Sequence, residues 1–351
     1  MKQSQQKNKN YKTYLLICMI VFILLLAGLK AYLDLFSSNV NITDTNKEMA
    51  IYVRQNQQIE AVFFQIENAG YLKNQASFER LANLAQLESK IKLGKYVLTE
   101  NMSNFEIIKM LYNGRQLPIN VVFKEANKLA EISGFFGSKL IADSAGLNEL
   151  LLDTAYLNTL GFNSENMLAF FIPNTYNFYW NTDVLTLMAR MEKEYKTFWN
   201  EERRQLATHL GLNVIEVSTL ASIVQKESNK IDEMPIIAGV YLNRLRLNMP
   251  LQADPTIIFA WNDNSIKRVT SRHTAIISPY NTYVNLGLPP GPICTPSIQA
   301  IDAVLHSKKH QFLYFCAKED FSGYHVFAEN FSQHLQHASK YQRALNRLKI
   351  R

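Results

Sequence analysis

One carboxylate stands where a core residue is expected. In the segment Val217-Ser-Thr-Leu-Ala-Ser-Ile-Val-Gln-Lys-Glu227, Leu220, Ile223, Val224 and Glu227 fall at i, i+3, i+4 and i+7. Glu227 therefore shares a helix face with three apolar side chains. A carboxyl on such a face loses hydration, which raises its pKa and suits it to general-acid work near neutral pH. Spacing alone favours the plainer reading, in which Glu227 occupies the last helical turn and its carboxylate turns to solvent.

Downstream come Asn243-Arg244-Leu245, the stretch Met249 to Thr256 (MPLQADPT), Ser278 to Tyr283 (SPYNTY) and Gly287 to Pro292 (GLPPGP). They place amides, hydroxyls and aromatic rings on turns braced by proline. Such groups suit a sugar, with hydrogen bonds for its hydroxyls and acetamides and flat rings for its apolar side. The candidate substrate contacts are Asn243, Gln252, Asp254, Thr256, Ser278, Tyr280, Asn281 and Tyr283, of which Asp254 is the single acid. As composition these loops resemble any polar surface; their order and spacing set them apart.

Other chemistries find less support. His306 and His310 have i, i+4 spacing, and His334 and His337 have i, i+3 spacing, but no HExxH is present and neither pair has a third ligand at a recognisable distance. No metal is expected. His273 and Ser278 lack the G-x-S-x-G context of a nucleophile elbow, and Gly134-Phe-Phe-Gly-Ser-Lys139 lacks P-loop spacing. No nucleotide, redox or other cofactor is expected either.

Four segments, in this order, resemble the YceG-like family of membrane-anchored endolytic murein transglycosylases: FIPNTYNF (Phe171 to Phe178), LASIVQKES around Glu227, GVYLNRLRLNMPLQADPTIIFA (Gly239 to Ala260) and SPYNTYVNLGLPPGPI (Ser278 to Ile293). The resemblance implies that Glu227 is the catalytic acid and base. It implies a lytic reaction, cleavage of the β-1,4 bond between MurNAc and GlcNAc inside a glycan strand with a 1,6-anhydroMurNAc end as product, ending strand elongation beside the membrane. Glycan strands are then the substrate, membrane lipid surrounds the anchor, and peptidoglycan synthases (penicillin-binding proteins) are candidate partners. Two departures bear on local contacts: Ala169-Phe170 precede Phe171 where the family often has Glu-Gly, and Cys294-Thr-Pro296 replaces the usual Asn-Pro. Two other readings stay open. A non-catalytic, membrane-anchored glycan binder could keep the fold without the chemistry. A hydrolase would need a second carboxylate, Asp254 or Asp232.

The elements that must position these residues read as α+β. A strand at Ile51 to Val53, helices at about Gln57 to Glu67 and Ser77 to Leu87, and a strand from Gly94 to Leu98 come first. Ser103-Asn-Phe-Glu106 has the form of a capping box, opening a helix that Asn113-Gly114 ends. The resemblance implies a LysM-like module over 51–115 and a mixed α+β catalytic domain over 116–351. In the latter, Leu117 to Phe123 alternates like a strand, Asp183 to Phe198 carries an apolar helical stripe, and Phe312 to Ala328 reads as a hairpin through Ser322-Gly323.

Charge completes the outline. The chain of 351 residues has Lys+Arg 37 against Asp+Glu 30, a net +7. Lys2, Lys7, Lys9 and Lys12 open it, and Lys340, Arg343, Arg347, Lys349 and Arg351 close it, both runs free of acids. Without those nine, 28 basic residues face 30 acidic ones, which removes the case for a nucleic-acid-binding core. Tyr14 to Leu33 is apolar apart from Gly28 and Lys30, long enough for the ~30 Å hydrocarbon layer. The expected order is a basic cytoplasmic tail (1–13), a span (14–33), a polar linker (34–50) and the rest on the exported, periplasmic side of the inner membrane, by the positive-inside rule. A cleaved signal peptide is the competing reading, although no clean A-x-A site follows the run. Only Cys294 and Cys316 lie beyond the span, so no disulfide scaffold is expected; they could pair or stay free.

Overall fold

Residues 2–41 and 49–347 are described by the computed structural model of the chain, so residues 42–48 of the polar stretch, and Lys349 and Arg351, lie outside the described residues. The chain is mixed α+β and packs as two units. One comprises Met1–Ile119 with Phe178–Asn181, the other Asn120–Asn177 with Thr182–Arg351.

The first unit opens with helix α1 (Lys2–Phe36). Its Tyr11–Phe36 stretch is long and apolar enough to cross a membrane, with mean hydropathy 2.5 and an apolar window that no protein buries. Strand β1 (Ala50–Val53), helices α2 (Ile59–Asn68) and α3 (Gln75–Leu84) and strand β2 (Gly94–Val97) follow, with β1 antiparallel to β2 and Ile51 opposite Tyr96. Ile51, Ile66, Phe78, Leu87, Tyr96 and Leu111 form a dry core here. Helix α3 starts two residues before the expected Ser77 because the Asn74 side chain accepts from the Ser77 amide at 3.0 Å, and it stops early because Gln86 is left-handed, φ 52°. Helix α4 (Asn104–Asn113) carries the expected capping box and ends at Gly114, φ 68°.

Residues 37–41 of the polar stretch are fastened into this unit. Asn39, 5% exposed, donates to Asn104 Oδ1 at 2.7 Å and to the Asn74 carbonyl at 3.0 Å, and accepts from the Asn74 amide at 2.7 Å. Phe178–Asn181 returns to the same unit, where Trp180 meets Tyr52 edge-on at 5.1 Å.

The second unit runs through β3 (Ile119–Phe123), α5 (Leu129–Gly137), α6 (Ser144–Leu152), α7 (Thr154–Leu160) and β4 (Asn174–Phe178), with β3 paired to β4. Helices α8 (Val184–Phe198), α9 (Glu201–His209), α10 (Val214–Glu227), α11 (Met234–Arg246), α12 (Asp254–Trp261) and α13 (Ile298–Leu305) follow. The hairpin β5 (Tyr314–Ala317) and β6 (His325–Ala328) is antiparallel, and α14 (Phe331–Arg347) closes the chain.

Helix α10 is the centre of this unit. Every residue from Val217 to Val224 is buried, and α11 and α13 pack against it. Its hydroxyls do not disturb so dry a place, because Ser218, Thr219 and Ser222 each donate to a carbonyl of their own helix at 2.7–3.0 Å. The residues that depart from the family pattern are packed in the same way. Ala169, Phe170 and Phe171 are buried, and Phe170 stacks on Tyr195 at 5.7 Å. Cys294 is buried against α10, and Thr295 exchanges two hydrogen bonds with Ala126 at 2.8 and 2.9 Å. Both Cys294 and Cys316 are free thiols. Burial pushes the Cys294 thiol well up, so it is inert as a nucleophile.

Gly291 makes the closest backbone approach in this region. A Cβ there would lie 2.1 Å from the Glu165 carbonyl oxygen and 2.8 Å from Asn166 Cα. Neither atom is a flexible side-chain end, so Gly291→Ala is expected to destabilise the unit by about 3 kcal/mol. A thermal-unfolding midpoint indistinguishable from wild type would contradict this.

Candidate active site

Glu227 closes α10. The helix stops because Ser228 turns to an extended conformation, φ −145°, and its hydroxyl donates to the buried carboxylate of Glu233 at 3.1 Å. Glu233 is held in turn by the His325 amide at 2.7 Å and by His325 Nδ1 at 2.8 Å. The chain thus reverses tightly into α11, which brings Tyr241 over the end of α10. Tyr241, 1% exposed, donates its hydroxyl to Glu227 Oε1 at 2.7 Å. Its ring is set edge-on against Phe315 of β5 at 5.9 Å.

The carboxyl of Glu227 sits among protein atoms although the residue as a whole is only half-buried. Loss of hydration pushes it up to about 7; the Tyr241 hydrogen bond opposes this, the Asp254 charge adds to it, and the Arg244 charge opposes it. A group balanced there is half protonated at neutral pH and can both give and take a proton. Its Oε2 has no protein partner among the described residues.

Arg244, 7% exposed, lies one turn beyond Tyr241 on the same face of α11. Its guanidinium donates to the carbonyls of Leu313 at 2.6 Å, Leu251 at 2.8 Å and Pro250 at 3.2 Å, and to Gln252 Oε1 at 3.4 Å. One planar fork thereby ties the hairpin and the 250–252 turn to α11. Gln252 itself is left-handed, φ 51°, and its amide donates to the Thr282 carbonyl at 2.9 Å. From that bend α12 starts, with Asp254 exposed in its first turn and accepting a short hydrogen bond from the Tyr283 hydroxyl. Burial and the Asp254 carboxylate hold the Tyr283 phenol protonated well beyond its ordinary range.

The structure divides the sequence candidates into two groups. Gln252, Asp254, Ser278, Tyr280 and Tyr283 keep part of their surface in solvent. Tyr280 rests on Phe259 at 4.7 Å and donates to the Glu165 carbonyl at 3.2 Å. Asn243, Thr256 and Asn281 are buried, and their polar atoms serve the fold. Asn243 donates to the carbonyls of His310 and Phe312, both at 2.9 Å. Thr256 donates to the Ala253 carbonyl at 2.7 Å and meets the Thr282 hydroxyl at 2.8 Å. Asn281 donates to the carbonyls of Thr274 and Ile276 at 2.9 and 2.7 Å. Of the two carboxylates a hydrolase could use, Asp254 acts on Glu227 electrostatically, whereas Asp232 pairs with Tyr324 at 3.3 Å and is not among the groups that shift it.

Tyr241, Arg244, Glu233, His325 and Thr282 were not legible as site residues. The available signal was a tyrosine and an arginine at i, i+3, following the apolar first half of their helix. His310 has both ring nitrogens committed, Nε2 to the Ile236 carbonyl at 2.9 Å and Nδ1 to the Phe312 amide at 3.1 Å. Among the described residues no group of three or more His, Cys, Asp and Glu could hold a metal ion.

Tyr241→Phe tests the pairing. The hydroxyl stabilises the ionised carboxyl, so its loss is expected to raise the Glu227 pKa above about 7 and move the alkaline limb of any Glu227-dependent pH profile upward. An unmoved limb would show that the hydrogen bond does not tune this group.

Comparison with known proteins places the chain in a family. The chain is 26% identical to the endolytic murein transglycosylase of Streptococcus pneumoniae strain D39 over 339 aligned residues, covering 86% of this chain and 60% of that protein. It therefore spans about three-fifths of that relative's length. It is 27% identical to the endolytic murein transglycosylase of Bacillus subtilis strain 168, covering 85% of this chain and 86% of that protein. The fold resembles the crystal structure of a yceG-like protein from Listeria monocytogenes, with a TM-score of 0.56 at 23% identity over 83% of this chain and 99% of that one. With residues 51–340 matching its family pattern, the chain belongs to the YceG-like family.

Proposed function

We propose that this chain is a membrane-anchored endolytic murein transglycosylase that cuts the β-1,4 bond between MurNAc and GlcNAc within glycan strands and leaves 1,6-anhydroMurNAc ends. The observation that carries the reading is Glu227, a desolvated carboxyl near pKa 7 with one oxygen held by Tyr241. Support comes from the names of the relatives in Streptococcus pneumoniae and Bacillus subtilis.

The chemistry follows from that one group. Oε1 accepts from Tyr241, so the transferable proton sits on Oε2. It passes to the bridging oxygen as the C1–O bond breaks, and GlcNAc leaves with a free hydroxyl. The resulting carboxylate takes the proton of the MurNAc C6 hydroxyl as that oxygen bonds to C1. Atoms balance without water, and Glu227 ends protonated as it began. Asp254, paired with Tyr283, supplies negative charge for the oxocarbenium-like state. Gln252, Ser278 and Tyr280 contact the sugars, while Asn243, Thr256 and Asn281 hold the loops that present them.

We read α1 as the anchor, with its N-terminus cytoplasmic and both units exported, beside the synthases that make the strand. The strand–helix–helix–strand order of the first unit supports a LysM-like module. Incubating the purified full chain with glycan strands and analysing the products by mass spectrometry tests the function. Anhydro ends are expected. Reducing ends alone would mean a hydrolase with Asp254 as second carboxylate, and binding without cleavage would mean a scaffold.

A further inference from the structure

The anchor helix runs past the thickness it needs. Tyr11–Phe36 is 26 residues, about 39 Å of helix against a hydrocarbon layer of ~30 Å. With the apolar run Tyr14 to Leu33 filling that layer, Phe36 emerges at the depth of the outer head groups, where aromatic side chains concentrate.

That end of the helix has no loose joint. Asp34 pairs with Arg80 at 2.8 Å, and its carbonyl accepts from Asn104 Nδ2 at 2.7 Å. Phe36 packs on Tyr32 at 5.0 Å and on Phe105 of α4 at 5.4 Å, and Ser38 bridges to Ser103. Whatever surrounds Phe36 is therefore fixed at the same depth.

What surrounds it is a cavity of about 640 Å³. Its apolar wall is Phe36, Val97, Met102, Phe105, Met110 and Leu117. Phe36, Phe105 and Leu117 are 47%, 40% and 58% exposed, too much large apolar surface in one place for a water-facing rim. Lys109 and Arg115 also line it, and neither has a carboxylate partner among the described residues. Lys109 lies over the Phe105 ring at 5.3 Å, which sets its ammonium at the mouth of the apolar wall. Glu106, the one acid among the described lining residues, is occupied by its own helix: it accepts from the Ser103 amide at 2.9 Å and hydroxyl at 3.0 Å.

An apolar wall, two cations with no carboxylate partner among the described residues and a fixed place at head-group depth specify a ligand that is greasy at one end and anionic at the other. We propose that this cavity binds one anionic phospholipid of the outer leaflet, its phosphate on Lys109 and Arg115 and the start of its acyl chains against Phe36, Phe105 and Met110. The proposal rests on the anchored reading of α1. Its consequence is orientation, because a bound head group beside the anchor stops the first unit from turning about the helix axis.

The test uses the full chain in detergent with equimolar phosphatidylglycerol and phosphatidylcholine, and counts retained lipid by native mass spectrometry. One phosphatidylglycerol per chain is expected to be retained in preference to phosphatidylcholine. The double variant Lys109→Ala, Arg115→Ala is expected to bind it about thirtyfold more weakly, and Lys109→Arg to keep it. Equal retention of both lipids, an unaffected double variant, or displacement of phosphatidylglycerol by a polyprenyl phosphate would each overturn the site. Flotation with vesicles of either lipid separates the two readings: a chain that does not float loses the anchor, whereas one that floats without lipid preference loses only the pocket.

Discussion

Glu227→Gln is expected to lower strand cleavage by about 10⁴-fold, the upper end for loss of a general acid, because the same group also serves as the base. The substitution is nearly isosteric, and the new amide oxygen can still accept from Tyr241, so the loss would be chemical and not structural. Stability provides an independent readout. The carboxyl has a raised pKa in the folded chain, about 7 against 4.5 in its ordinary state. Between those values the unfolded chain gives up a proton that the folded chain retains, so wild-type stability falls as pH rises through this window. Glutamine has no such dependence. The variant should therefore match wild type near pH 4 and exceed it by about 3 kcal/mol above pH 7. Denaturation at pH 4 and pH 8 measures the gap; a gap that is the same at both would mean the carboxyl is not desolvated. Residual cleavage within tenfold of wild type would remove Glu227 from the chemistry.

Arg244→Ala is expected to have the largest structural effect near the site. Three backbone carbonyls and one amide oxygen lose their donor together. Leaving buried acceptors unpaired costs about 1–3 kcal/mol each, partly offset because a buried charge is also removed, so a net loss of about 3 kcal/mol is expected. Arg244→Lys should not restore it, since one ammonium cannot span the positions that a planar fork reaches. Cleavage should fall as well, because the 250–254 turn that carries Asp254 loses its tie to α11. Thermal unfolding with activity measured below the transition checks both. A lysine variant with wild-type stability and turnover would show that charge alone, and not the fork, is what the site requires.

The local devices of the fold were legible because they are local. The Ser103–Glu106 capping box, the left-handed stop at Gly114, the apolar stripe of α8 and the hairpin turn at Gly323 all depend on residues within a few positions of one another. The polar stretch after α1 shows the limit of such reasoning. Its composition reads as a loose linker, yet Asn39 is buried against Asn104, 65 residues away, because a complete hydrogen-bond set compensates an amide for lost water.

At the site the same boundary applies. Residue type and helical period alone singled out Glu227 as a carboxylate on an apolar face, marked α1 as apolar enough to span a membrane, and located the loops of amides and hydroxyls near it in the chain. They did not say where those polar groups point. Asn243, read from the sequence as a candidate sugar contact, donates to the His310 carbonyl 67 residues on, while Tyr241, which the sequence reading did not single out, donates to Glu227. Tertiary structure decided these roles, because a polar side chain's partner is whichever donor or acceptor the packed chain places within about 3 Å of it, and that is set by distant segments meeting and not by the spacing of its neighbours.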